Sequence, residues 1–177
     1  MKTKWMISLM FAVLLLSACT VATMNMVIEE DIPFNVKEII HTEKVKDGVI
    51  LLYVTSQKNA KGEIDAVTVA FLKGNDQDGW KNAGHNHWEY NDNEYMTVYT
   101  DTFYDYDQKG KLENRLPVIY GKIQSEEIKS IEVKGQDQKA EKANIIEKES
   151  GRYFLKLGDY QIATGLTGDG KEVSQQE

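Results

Sequence analysis

The run Gly84-His85-Asn86-His87-Trp88-Glu89 holds the densest set of metal-competent donors in the chain. In an extended strand, His85, His87 and Glu89 project to one face about 7 Å apart, a spacing at which imidazole and carboxylate can share zinc or another borderline divalent metal. The plainer alternative is a polar loop leading into a strand near Trp88 to Tyr90. Zinc sites usually draw ligands from more than one segment, and the only other histidine, His41, is far away in sequence. A divalent metal is the one cofactor these residues suggest; otherwise none is expected.

Other chemistry falls short of a signature. Asp105 to Leu112 begins like a calcium loop, with acids at positions one and three, Gly110 at six and Leu112 at eight. Lys109 then stands where a ligand oxygen belongs and Leu116 where the bidentate glutamate would sit, so a solvated turn is expected. Asn75 to Gly79 reads as another polar turn. The sequence contains no Gly-x-Ser-x-Gly elbow and no phosphate-cradling glycine loop. The chain therefore reads as a non-enzyme, although its many carboxylates leave an envelope-polymer hydrolase as an alternative.

Aromatic residues are the second resource. Trp80, Trp88, Tyr90, Tyr95, Tyr99, Phe103, Tyr104 and Tyr106 fall within fewer than thirty residues. Most would serve as cross-strand core pairs, and Trp88, Tyr90, Tyr104 and Tyr106 are those expected outward as a binding surface.

Cys19 is the only cysteine. Before it, Lys2 and Lys4 precede the apolar run Trp5 to Leu16, interrupted by Ser8, in the layout of a signal peptide. Twelve helical residues cover only about 18 Å, against roughly 30 Å of bilayer hydrocarbon, so this run is too short for a stable transmembrane anchor. Leu16-Ser17-Ala18-Cys19 resembles the lipobox of bacterial lipoproteins. That resemblance implies diacylglyceryl transfer to the Cys19 sulfur and cleavage before it, with the two acyl chains, such as palmitate, as the membrane contact. With Cys19 committed to lipid, no disulfide framework remains in an oxidising compartment.

Removal of Lys2 and Lys4 from the 21 basic residues leaves 19 against 28 acidic ones, a formal charge of −9. That excess argues against nucleic acid as a partner and against electrostatic adhesion to anionic lipid.

The elements that must position these groups read as mainly β. The expectation is an antiparallel sandwich or curved sheet with one short N-terminal helix, capped by Asn35 and Glu38 with Val36, Ile39 and Ile40 as its apolar stripe. Asp47-Gly48 marks a hairpin turn into Val49 to Val54, a run suited to a strand covered on both faces. Residues 1–18 are read as signal peptide, 19–33 as a lipidated tether, 34–173 as the β-rich domain with a possible subdivision near 115, and 174–177 as a polar tail. The alternative architecture is a small α+β unit followed by a β unit.

At Gly79-Trp80-Lys81, Tyr120-Gly121-Lys122-Ile123, Ile131-Glu132-Val133, Gly151-Arg152-Tyr153-Phe154 and Gly168-Asp169-Gly170-Lys171 the chain resembles small uncharacterised lipoproteins of Bacillus and related Firmicutes. The resemblance implies a cell-surface β domain and carries over no catalytic residue. Together these features point to a membrane-anchored, extracytoplasmic, non-enzymatic module that binds an envelope protein or polymer. The alternative is a metal- or small-ligand-binding lipoprotein using His85, His87 and Glu89.

Overall fold

The computed structural model describes residues 21–177 apart from Lys61 and Gln108, so residues 1–18, read above as a signal peptide, and Cys19 lie outside the described residues. In chain order the elements are α1 (Met24–Glu30), β1 (Val36–Val45), β2 (Gly48–Asn59), β3 (Gly62–Asn75), β4 (Gly79–Asn82), β5 (Met96–Tyr106), β6 (Leu112–Ile123), β7 (Ser130–Gly135), β8 (Ala140–Lys148), β9 (Gly151–Leu157), β10 (Tyr160–Leu166) and β11 (Glu172–Gln176). The strands form two antiparallel sheets. One has the order β1-β2-β3-β4 and the other β11-β10-β7-β8-β9-β6-β5.

The six residues Val49 to Val54 of β2 are all buried. Ile50, Leu52 and Val54 face the second sheet, where they meet Tyr99, Phe103, Val118 and Tyr120. Val49, Leu51 and Tyr53 face the opposite way, toward Val27, Ile28 and Ile32. This is the strand covered on both faces that its unbroken apolar run predicts. Its entry turn needs tight backbone: Asp47 has φ 62, and a Cβ at Gly48 would lie 2.2 Å from the Leu72 carbonyl oxygen.

The seven-stranded sheet curls into a half-barrel whose concave side holds Met96, Ile119, Ile131, Val133, Phe154 and Ala163. Gln176 Nε2 donates to the Met96 carbonyl at 2.7 Å, tying the last strand of the sheet to the first. Along β6 and β9 the side chains alternate between the two cores. Val118, Tyr120, Tyr153 and Leu155 enter the layer between the sheets, while Ile119, Ile123 and Phe154 enter the half-barrel.

Three expectations are corrected. The stretch after Asn35 is strand β1, because Val36, Ile39, Ile40, Thr42 and Val45 are β-branched and β2 offers them a full ladder. Register shifts between Val36 and Glu38 and between Ile39 and His41 disguise the two-residue alternation. The helix instead lies inside the expected tether. Thr23 caps α1 by accepting from Met26 N at 3.3 Å, and Val27 and Ile28 are buried against the four-stranded sheet. The docked segment is held further by Trp80 N donating to the Ala22 carbonyl and Asn82 Nδ2 to that of Asp31. At the other end, Ser174 to Gln176 of the expected polar tail belong to β11 and pair with β10. Arg115 lies within β6 and pairs with Tyr104, so no boundary falls near 115; the sheets are joined by residues 83–95.

Candidate metal centre

Residues 83–95 contain no strand, including at Trp88 to Tyr90 where one was expected. They form an extended strap along the side of the sandwich, from β3 across to β5. Ala83 N donates to the Phe71 carbonyl, Thr68 Oγ1 to the His87 carbonyl at 2.6 Å, and Asn91 N to the Tyr99 hydroxyl at 2.9 Å. Asn93 Oδ1 then accepts from Tyr95 N and Met96 N. Gly84 lets the strap lie flat, since a Cβ there would be 2.6 Å from the Phe103 ring.

This course brings His85 and His87 over the middle of β5. Their rings stack at 5.3 Å between centroids with planes 14° apart, and the His85 ring also lies 5.2 Å from that of Phe103. Beneath them is Asp101, which lies between Tyr99 and Phe103 on the face of β5 turned toward the other sheet. His85 Nε2 is 2.8 Å from Asp101 Oδ1, and His87 Nδ1 is 3.7 Å from Asp101 Oδ2. One ligand atom from each of His85, His87 and Asp101 lies within 4.8 Å of the others.

The two histidines named by the sequence are thus together, and the third donor comes from a separate strand. Glu89 falls outside this triad. Its Oε1 is 3.8 Å from His87 Nε2, and its side chain is 65% exposed. His41 pairs with Glu43 on β1.

Asp101 is nearly enclosed, with a side chain 6% exposed, whereas those of His85 and His87 are 51% and 39% exposed. The carboxylate accepts from Thr102 N at 2.6 Å and, among the described residues, its ion pairs are with the two histidines and with no lysine or arginine. A carboxylate held away from water costs free energy unless a cation or donors compensate it. Glu89 adds a second carboxylate nearby. Burial raises the Tyr120 phenol pKa, and the charges of Asp101 and Glu89 raise it further.

A four-coordinate ion of the zinc class binds donors at about 2.0–2.2 Å, which places them about 3.4 Å from each other. Side-chain adjustments on the order of 1 Å would close this triad around such an ion. Three protein donors leave a fourth position for water or for an exchanging ligand.

The expected aromatic surface divides. Trp88 is half-buried in the strap, and Tyr90 borders a cleft of about 370 Å³ with Asn91, Thr97, Tyr99 and Lys122. Tyr104 and Tyr106 are exposed at the far end of β5. The calcium-like stretch is a self-capped turn, in which Asp107 Oδ1 accepts from the backbone N–H groups of Lys109 and Lys111.

Comparison with protein-family models, with curated proteins and with solved structures finds no match to this chain. Nor is any helix among the described residues long and apolar enough to cross a membrane.

Proposed function

We propose that the protein is an extracytoplasmic lipoprotein, anchored through Cys19, that acts as a non-enzymatic binding protein for a divalent transition-metal ion. The carrying observation is the convergence of His85, His87 and Asp101 within 4.8 Å from two separate segments. Two imidazoles and one carboxylate suit zinc, nickel, copper or cobalt better than calcium or magnesium, which prefer oxygen donors throughout. A bound ion would also supply the positive charge that enclosed Asp101 lacks from any lysine or arginine among the described residues. The exposure of both imidazoles gives the ion a route in and out.

Isothermal titration of Zn²⁺, Ni²⁺ and Cu²⁺ tests this reading. One ion per chain is expected, with affinity reduced at least about tenfold by Asp101→Ala, since removing a ligand should cost no less than removing its outer-shell support. Wild-type binding no tighter than high micromolar for all three ions overturns it. The anchor is tested separately, by loss of a Cys19→Ala variant from the membrane fraction.

A further inference from the structure

We infer that one end of the sandwich, carrying Val21, Tyr104, Tyr106 and Leu112, rests on the lipid surface rather than swinging on a long stalk. This rests on the proposed acylation of Cys19. A free tether of about a dozen residues would let the domain move roughly 40 Å from its anchor. The fold removes most of that length, because Trp80 N holds the Ala22 carbonyl at 3.0 Å and α1 is docked immediately afterwards. Only Thr20 and Val21 intervene between Cys19 and Ala22, a reach of about 11 Å even when fully extended.

The chain enters the domain at the end where three turns meet. Val21 is close enough to Gly79 that a Cβ on that glycine would lie 2.8 Å from Val21 Cγ1. Gly74 N donates to the Asp47 carbonyl, bringing the β1–β2 turn beside the β3–β4 turn. Lys73 Nζ lies 2.7 Å from Asp105 and 3.8 Å from Glu113, which adds the β5–β6 turn.

Four of the eight large apolar residues exposed among the described residues, Val21, Tyr104, Tyr106 and Leu112, lie at this end. Tyr106 and Leu112 face each other across the β5–β6 pair. Tyrosine suits the water–lipid boundary, where its ring can enter the apolar side while its hydroxyl stays wet. Exposed Lys46, Lys81, Lys109 and Lys111 are offset by exposed Asp47, Asp76, Asp78 and Glu113, so the contact is driven by the anchor and the apolar side chains rather than by net charge.

Full-length protein in phosphatidylethanolamine–phosphatidylglycerol vesicles provides the test. Since the native cysteine would carry lipid, a thiol introduced by Lys109→Cys, in the β5–β6 turn, or by Glu149→Cys, in the β8–β9 turn, can be labelled singly with a fluorophore. Headgroup-nitroxide lipids should quench the label at 109 at least twofold more than the label at 149, and a ten-residue Gly-Ser insertion after Thr20 should abolish the difference. Equal quenching in a chain shown by fatty-acid labelling to be acylated overturns the proposal alone. Absence of fatty acid on Cys19 overturns both it and the anchor.

Discussion

Asp101 and Asp105 stand four residues apart on the same face of β5, with side chains 6% and 5% exposed. Their partners differ in kind. Asp105 receives Lys73 Nζ at 2.7 and 2.8 Å and Asn114 Nδ2 at 3.2 Å, so a permanent cation from β3 and a neutral amide satisfy it. Asp101 meets two imidazoles on a strap that lacks sheet pairing. A carboxylate closed by lysine ties two sheets together. One closed by histidines, each able to present a lone pair, can exchange its partner for a metal ion.

Lys73→Met should cause the largest change, because it strands Asp105 as an unpaired buried charge; a loss of about 3 kcal/mol in urea unfolding is expected. Asp101→Asn, measured without metal, should change stability by less than about 1 kcal/mol, since the charge it removes is met, among the described residues, by half-exposed histidines and by no lysine or arginine. Equal losses from the two changes would erase the distinction between the sites. Next in size, Zn²⁺ at about one hundred times its Kd should stabilise wild type by about 2.7 kcal/mol and leave Asp101→Asn nearly unmoved. A shift of equal size in both proteins would mean that zinc binds elsewhere.

Acid should sharpen the contrast by a smaller amount. Burial works to raise the Asp105 carboxyl, but hydrogen bonds from Lys73 and Asn114 and the nearby lysine charge outweigh it and hold the group below the ordinary carboxylate range. A carboxyl depressed in the folded state contributes stability above its unfolded value, about 3.9, and loses it as pH falls through the folded value. Urea midpoints should therefore fall more steeply below about pH 4 for wild type than for Asp105→Asn. Parallel curves would remove Asp105 from the account. The smallest effect belongs to Glu89→Gln, which should change metal affinity by about twofold or less, as an exposed charge beside the triad. A tenfold change would make Glu89 a ligand.

The legible and illegible parts of this molecule separate by contact range. Val49 to Val54 betrayed a doubly covered strand through unbroken hydrophobicity, and Asp47-Gly48 betrayed its entry turn, because both signals are local. The stretch after Asn35 misled because Asn35 and Glu38 mimic a capping pair while the deciding influence, the ladder with β2, lies ten or more residues away. Val27 and Ile28 make α1 stable only against a sheet formed by later sequence, so a seven-residue helix had no adequate signal of its own. At the site, His85 and His87 were visible as donors. Asp101 was not, since one aspartate in an alternating strand is unremarkable until the strap folds back over it. Its signal was an acidic residue in line with Tyr99 and Phe103, two aromatics of the core-facing side.

The alternation along β6 and β9 has a consequence for how the molecule comes apart. These strands lend one face to each core, so melting either core strips a wall from the other. The half-barrel and the four-stranded sheet should therefore unfold in a single cooperative transition, with the amide protons of β6 and β9 exchanging last and at the global unfolding free energy.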